Sequence, residues 1–110
     1  MENESTEDAS YDDVDLLLWK LRFMPKDEAY ETLEQMLIKC YQREFGSYEN
    51  MDNVHAEAGK ILEDNGDNLR LALKKIYSDR YRYRHNQNTL FLSDLKECVK
   101  NLNLNYKIWF

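Results

Sequence analysis

Apolar residues recur every three or four positions through most of the chain, with polar residues between them. This is the period of an α-helix that buries one face. Five such segments start near Ser10, Asp27, Asn53, Asp67 and Ser93. Ser, Asp and Asn are favoured at helix N-termini, where their side chains accept hydrogen bonds from free N–H groups. The pattern predicts a mainly α protein, a compact bundle of about five helices.

The first predicted helix is apolar on two sides. One arc holds Val14, Leu17, Leu18, Leu21 and Met24, and a nearly opposite arc holds Leu16, Trp19 and Phe23. Pro25 predicts that the helix ends at about Phe23 or Met24, because the residue before proline avoids the helical conformation. Such a helix is either enclosed by the domain or offers its second arc to a partner. Both arrangements stay open, and in the second one Leu16, Trp19 and Phe23 bind the partner.

Residues 78–86, SDRYRYRHN, alternate arginine with tyrosine and allow two geometries. In a continuous fourth helix, Arg80 falls near the centre of the apolar side, whereas Tyr81 and Arg82 face outward with Lys74 and Lys75. In an extended chain, RYRYR, HNQN and TLFL form a short β-hairpin over residues 80–92. We expect helix to about Tyr81 and an irregular or short β segment after it.

The last residues change to a period of two. Apolar side chains occupy alternate positions over residues 102–110, which predicts a terminal strand or an extended tail tied to the core. The C-terminal third is therefore expected to hold any β structure that the protein has.

Charge is distributed unevenly along the 110 residues, whose formal net charge is −6. Residues 1–15 contribute −7, residues 16–70 contribute −4 and residues 71–110 contribute +5. The acidic and aperiodic residues 1–9 are predicted to be a mobile tail, and residues 10–110 a single helical domain. The average acidity therefore does not exclude an anionic partner at the C-terminal end.

Motifs that would indicate catalysis are missing from the sequence. It contains neither GxGxxG nor GxxxxGK[ST], and its three glycines fall within or at the ends of predicted helices. His55 and His85 have no second ligand at metal-binding spacing. Cys40 and Cys98 fall on apolar stripes, which is typical of buried thiols. We predict no enzymatic activity, no metal and no cofactor.

Targeting signals are also not evident. No apolar run approaches the roughly 18 residues of a transmembrane helix. The N-terminus carries acids where a secretion signal carries basic residues. We expect no membrane association and a cytoplasmic location.

A basic and aromatic patch over residues 70–84 suggests an alternative function. Residues 74–84 carry five bases and one acid. Arginines on phosphates and tyrosines stacked on bases would suit a nucleic-acid-binding regulator, although the acidic N-terminal residues would repel its ligand. The same patch suits a protein with an acidic surface, in which case Lys74, Lys75, Tyr81 and Arg82 bind the partner.

Residues 61–77, ILEDNGDNLRLALKKIY, place a Gly-Asp gap between two helical segments. This segment resembles the second and third helices of ubiquitin-associated (UBA and CUE) domains. The resemblance implies a ubiquitin-binding module as a further alternative. Those families place Met-Gly-Phe or Met-Phe-Pro after their first helix, whereas residues 43–51 here are REFGSYENM, which matches neither.

These features favour a non-enzymatic, intracellular protein-binding domain of the small acidic inhibitor, immunity-protein or adaptor type. Its expected contact surface is Leu16, Trp19 and Phe23, with Lys74, Lys75, Tyr81 and Arg82 as a second patch. The identity of the partner and the oligomeric state do not follow from the sequence.

Overall fold

The computed structural model describes residues 8–46 and 51–102, which form five α-helices and one π-helical turn. They are α1 (Tyr11–Lys20), α2 (Lys26–Phe45), α3 (Met51–Asp64), α4 (Leu69–Ile76), the π turn (Tyr77–Tyr81) and α5 (Gln87–Asn101). The predicted helical bundle is confirmed. The strand predicted at the C-terminus falls beyond Leu102 and so lies outside the described residues, as do residues 1–7 of the predicted tail.

Helix α2 occupies the middle of the bundle and packs against α3, α4 and α5, while α1 packs against α4 and α5. Cys40 and Cys98 are buried free thiols in the core between these helices, as predicted. Burial raises the pKa of the Cys98 thiol to about 12, so this thiol stays protonated and acts as a small apolar group. Across the two described ranges, no helix is both long and apolar enough to cross a membrane.

Local sequence signals account for several helix ends. The Ser10 Oγ atom accepts a hydrogen bond from the Asp13 N–H at 3.2 Å and so caps α1. Gly46 ends α2 with a φ of +83°, a conformation that glycine adopts without steric strain. The predicted cap of α4, Asp67, is wrong by one residue: the Asn68 side chain accepts from the Leu71 N–H at 3.1 Å. Each of these ends lies within one residue of its prediction.

The start of α5 is held by Asp8 and Ala9, two residues that the sequence assigned to the mobile tail. The Asp8 carboxylate accepts hydrogen bonds from the N–H groups of Asn88 and Thr89, at 3.1 and 2.7 Å. The Ala9 N–H donates to Thr89 Oγ1 at 2.8 Å. Desolvation raises the pKa of Asp8, but the hydrogen bonds from the N–H groups lower it by more. The pKa of Asp8 is therefore below its ordinary value. This distant cap explains why α5 begins at Gln87 and not near Ser93.

The β-hairpin that the sequence allowed over residues 80–92 does not form, and the helix expected to about Tyr81 does continue to that residue, as the π turn. Residues 77–81 form the π turn and residues 89–92 belong to α5. A π turn holds one residue more than an α turn, so each later residue takes the place its predecessor would have had in a continuous α-helix. Tyr81 therefore occupies the inward position predicted for Arg80. It is fully buried, and its predicted place on the outward face is wrong as well.

Contacts in the core hold Tyr81 in this position. The Phe91 ring meets the Tyr81 ring edge-on, with centroids 5.2 Å apart. The Tyr81 hydroxyl donates to Asp94 Oδ2 at 2.6 Å, and Arg43 Nη2 donates to the two oxygens of Asp94 at 3.1 and 2.9 Å. Burial, with Cys40 and Asp94 nearby, raises the pKa of Tyr81, so its hydroxyl keeps the proton that it donates. A strand at this point would break these contacts.

Arg80 is displaced from the core and meets two acids at its edge. Its Nη2 atom donates to Glu57 Oε2 at 2.8 Å and to the Tyr41 hydroxyl at 3.2 Å. Its Nη1 atom lies 3.5 Å from Glu44 Oε1. An unpaired guanidinium in this half-buried position would be strongly unfavourable. The pairing connects the π turn to α2 and α3.

Candidate functional site

Helix α1 and the turn after it expose a second apolar face. Val14, Leu17 and Leu18 point into the core. Leu16, Trp19 and Phe23 are 52%, 50% and 78% exposed, so the described part of the domain does not enclose this arc. Leu16 and Trp19 lie about one turn apart on α1, and Phe23 follows in the turn after the helix. We call these three residues the Trp19 patch.

Arg22 connects the two aromatic rings of the Trp19 patch. Its guanidinium carbon lies 3.4 Å from the Trp19 ring centroid and 4.4 Å from the Phe23 ring centroid. Its Nη1 atom also donates to the Trp19 carbonyl oxygen at 2.6 Å. Cation–π contacts favour one arrangement of the rings over others. The patch therefore presents ordered aromatic and cationic groups, which are enriched at the centres of protein interfaces.

A groove of about 430 Å³ lies beside the Trp19 patch, between α1 and α5. Its lining comprises Ala9, Asp13, Leu16, Leu17, Lys20, Leu92 and Lys96. Leu16 belongs to both features, so the patch and the groove form one continuous surface. We call the second feature the α1–α5 groove.

Four cations at this surface lack an acidic partner among the residues that the structure describes. Lys20, Arg22, Lys96 and Lys100 have no carboxylate within ion-pair distance in the described ranges. Nine other Lys and Arg residues of the same ranges do pair with acids. Of the five cations without an ion-pair partner in the described ranges, all but Arg82 therefore lie on α1, the turn after it, and α5.

The basic residues of the 70–84 patch are mostly neutralised by acids. The paired cations are Arg70 and Lys74 with Asp15, Lys75 with Asp79, Arg80 with Glu57 and Glu44, and Arg84 with Glu44. Arg82 is the sixth cation, and its guanidinium carbon lies 4.8 Å from the Tyr83 ring centroid. Few charges are therefore free to meet phosphates.

The second predicted contact patch is dispersed by this pairing. Tyr81 is buried, as described above. Lys74 and Lys75 have their Nζ atoms 3.7 and 3.2 Å from aspartate oxygens. Arg82 is exposed and, within the described residues, unpaired. The structure exposes Leu16, Trp19 and Phe23 on α1 and the turn after it, but it does not assemble Lys74, Lys75, Tyr81 and Arg82 into one exposed patch.

A second groove of about 290 Å³ lies at the π turn and is lined mainly by charged residues. Its acids, Glu44, Glu57 and Asp79, each pair with Arg80 or Lys75 in the same groove. Such mutual pairing leaves little charge to attract a ligand. In the part of the chain that the structure describes, no three His, Cys, Asp or Glu side chains are grouped closely enough to hold a metal ion.

Sequence reasoning missed several residues of this surface, among them Lys20, Arg22, Leu92 and Lys96. A signal for α5 was present, because positions 92, 96 and 100 are four residues apart and share one helix face. Because the fifth helix was predicted to start at Ser93, Leu92 fell outside it, and the shared face of positions 92, 96 and 100 was not recognised. The lack of acidic partners depends on tertiary contacts and could not be read from the sequence.

The segment that resembles ubiquitin-associated domains, residues 61–77, forms the end of α3, a turn, α4 and the first residue of the π turn. Leu69, Leu73 and Ile76 of this segment are buried in the core of the chain itself. Comparison with protein-family models, with curated proteins and with solved structures found no match to this chain.

Proposed function

We propose that this chain is a non-enzymatic protein-binding domain whose contact surface is the Trp19 patch. The observation that carries the proposal is the exposure of three large apolar side chains within eight residues, two on α1 and one in the turn after it. Single exposed apolar residues are common on protein surfaces, whereas a contiguous group favours an interaction site. Trp buries a large area at little conformational entropy cost, which suits it to the centre of an interface.

The size and charge of the chain suggest the kind of role. A 110-residue domain with a net charge of −6 suits a small cytoplasmic inhibitor, immunity protein or adaptor. Such proteins act by covering or joining other proteins and need no catalytic group.

Nucleic-acid binding is the less favoured alternative. Phosphate recognition needs free cations, and five of the six in the 70–84 patch already have acidic partners. Retention of random DNA or RNA at low salt, lost on replacing Arg82 and Lys75 by Ala, would favour this alternative.

The proposal is tested by replacing Leu16, Trp19 and Phe23 together with Gln. We expect the triple variant to capture at least about tenfold less of the partner proteins that wild type captures from its source cells. Hot-spot side chains each contribute about 2 kcal/mol or more to binding. Quantitative mass spectrometry of the captured proteins measures this loss. The three replaced side chains are exposed, so the thermal unfolding midpoint should change little.

The matched control replaces Phe45, Leu71 and Tyr83 with Gln. These side chains are also large, apolar and exposed, at 71%, 45% and 87%, but lie outside the Trp19 patch. We expect the control to retain the captured proteins. Equal losses in both triple variants, or no loss in the Trp19-patch variant while it remains folded, would contradict the proposal.

A further inference from the structure

The α1–α5 groove combines an apolar lining with lysines on both of its sides. We propose that its ligand is an acidic amphipathic helix of the partner protein. This inference rests on the proposed function and adds the chemistry of the segment that the surface recognises.

The shape of the groove favours a helix over an extended segment. Leu16 and Leu17 line it from α1, and Leu92 lines it from α5, so its apolar part follows the space between two helices. A helix placed there buries apolar residues at positions i, i+3, i+4 and i+7 in the usual manner of helix-in-groove recognition. An extended ligand gains most of its affinity from a sheet edge, and the described residues contain no strand.

The charges of the groove favour acids on the ligand. Lys20 stands on the α1 side and Lys96 on the α5 side, and neither has a carboxylate within ion-pair distance in the described ranges. Lys100 lies one turn beyond Lys96 on the same face of α5. A helix with an apolar stripe flanked by glutamates would place a carboxylate beside each lysine while its stripe covers the leucines.

Asp13 makes the charge of the groove differ between its two ends. Asp13 lines the groove from the first turn of α1, whereas Lys20 lines it from the last turn. Like charges across an interface are unfavourable. The acids of the ligand are therefore expected toward Lys20 and Lys96 and away from Asp13.

The test is a displayed library of helical peptides of about 18 residues, five turns. Every member carries a fixed apolar stripe of Leu and Trp, and its flanking positions vary among Glu, Gln and Lys. The full chain is compared with the double variant Lys20→Glu/Lys96→Glu. We expect wild type to enrich Glu over Lys by about tenfold and the double variant to reverse this preference, since two charge pairs change sign.

The matched control is Lys60→Glu/Lys26→Glu, which makes the same change of net charge at two exposed lysines outside the groove. It should keep the preference of wild type. Failure to select any peptide, equal selection of Glu and Lys, or the same reversal in the control would overturn the inference. If capture of proteins still depends on the Trp19 patch, such a result removes the acidic helix and leaves the proposed function standing.

A second copy of this chain is the competing occupant. Sedimentation velocity of wild type at rising concentration should show a monomer. A dimer that the Leu16→Gln/Trp19→Gln/Phe23→Gln variant abolishes would assign the surface to self-association and overturn the inference.

Discussion

Replacing Phe91 by Ala is expected to lower the free energy of unfolding by about 4 kcal/mol, the usual result of removing a fully buried aromatic ring. Phe91 is 0% exposed, and its ring meets the rings of both Tyr77 and Tyr81 at centroid distances of 5.2 Å. The substitution removes these edge-on contacts and leaves a cavity between α5 and the π turn. Urea unfolding followed by circular dichroism measures the effect.

Two further variants make the Phe91 result interpretable. Phe45→Ala, at an exposed ring, should change the free energy of unfolding by less than about 0.5 kcal/mol. Phe91→Leu keeps most of the apolar volume and should cost about 1 kcal/mol, so it stays measurable if the alanine variant is largely unfolded. If Phe91→Ala were as mild as Phe45→Ala, Phe91 would not lie in the core between α5 and the π turn.

Replacing Asp94 by Ala should lower the free energy of unfolding by about 3 kcal/mol, the low end of the range for a broken buried ion pair. Asp94 is 5% exposed and accepts hydrogen bonds from Tyr81 and Arg43. Its loss removes the carboxylate that accepts from the buried Tyr81 hydroxyl and the counter-ion of the Arg43 charge. We expect a cost at the low end of this range because the Arg43 side chain is 29% exposed, so water partly solvates its charge.

Asp64→Ala is the matched control for Asp94. Asp64 pairs with Lys60 at 3.2 Å on the exposed side of α3, so its removal should cost less than about 0.5 kcal/mol. Tyr81→Phe, which deletes one hydroxyl, should cost about 1 kcal/mol. Equal effects of Asp64→Ala and Asp94→Ala would show that the Arg43–Asp94–Tyr81 network does not stabilise the bundle.

The elements that the sequence predicted well depend on neighbouring residues. Ser10 caps α1 and Gly46 ends α2 through contacts within one helical turn, so residue type and spacing suffice to locate them. The apolar stripes likewise predict which side of each helix is buried, because the period of the helix is fixed.

The elements that the sequence predicted poorly depend on distant residues. Asp8 caps α5 across 80 positions of chain, and Asp94 accepts from Tyr81 across 13. Neither contact leaves a local signal, so the start of α5 and the π turn were missed. The alternation of Arg and Tyr suggested a strand because a strand has a period of two. The π turn separates the two residue types differently: its additional residue places Tyr81 in the core and Arg80 at the edge of the core.

The candidate surface was predictable in part. The sequence marks Leu16, Trp19 and Phe23 as a second apolar arc, yet whether that arc is covered depends on how α4 and α5 pack around α1. The same packing decides which cations find acids: Lys74 reaches Asp15, whereas Lys20, on the same helix as Asp15, reaches no carboxylate in the described residues.

The central claim, that the Trp19 patch contacts a partner protein, is tested most directly by photo-crosslinking from its most exposed side chain. Phe23 is replaced by benzoylphenylalanine, and Phe45, which is similarly exposed, is replaced in a control. On irradiation in the source cells, we predict a discrete crosslinked product from position 23 and none of that mass from position 45. No product from position 23, or the same product from both positions, would contradict the claim.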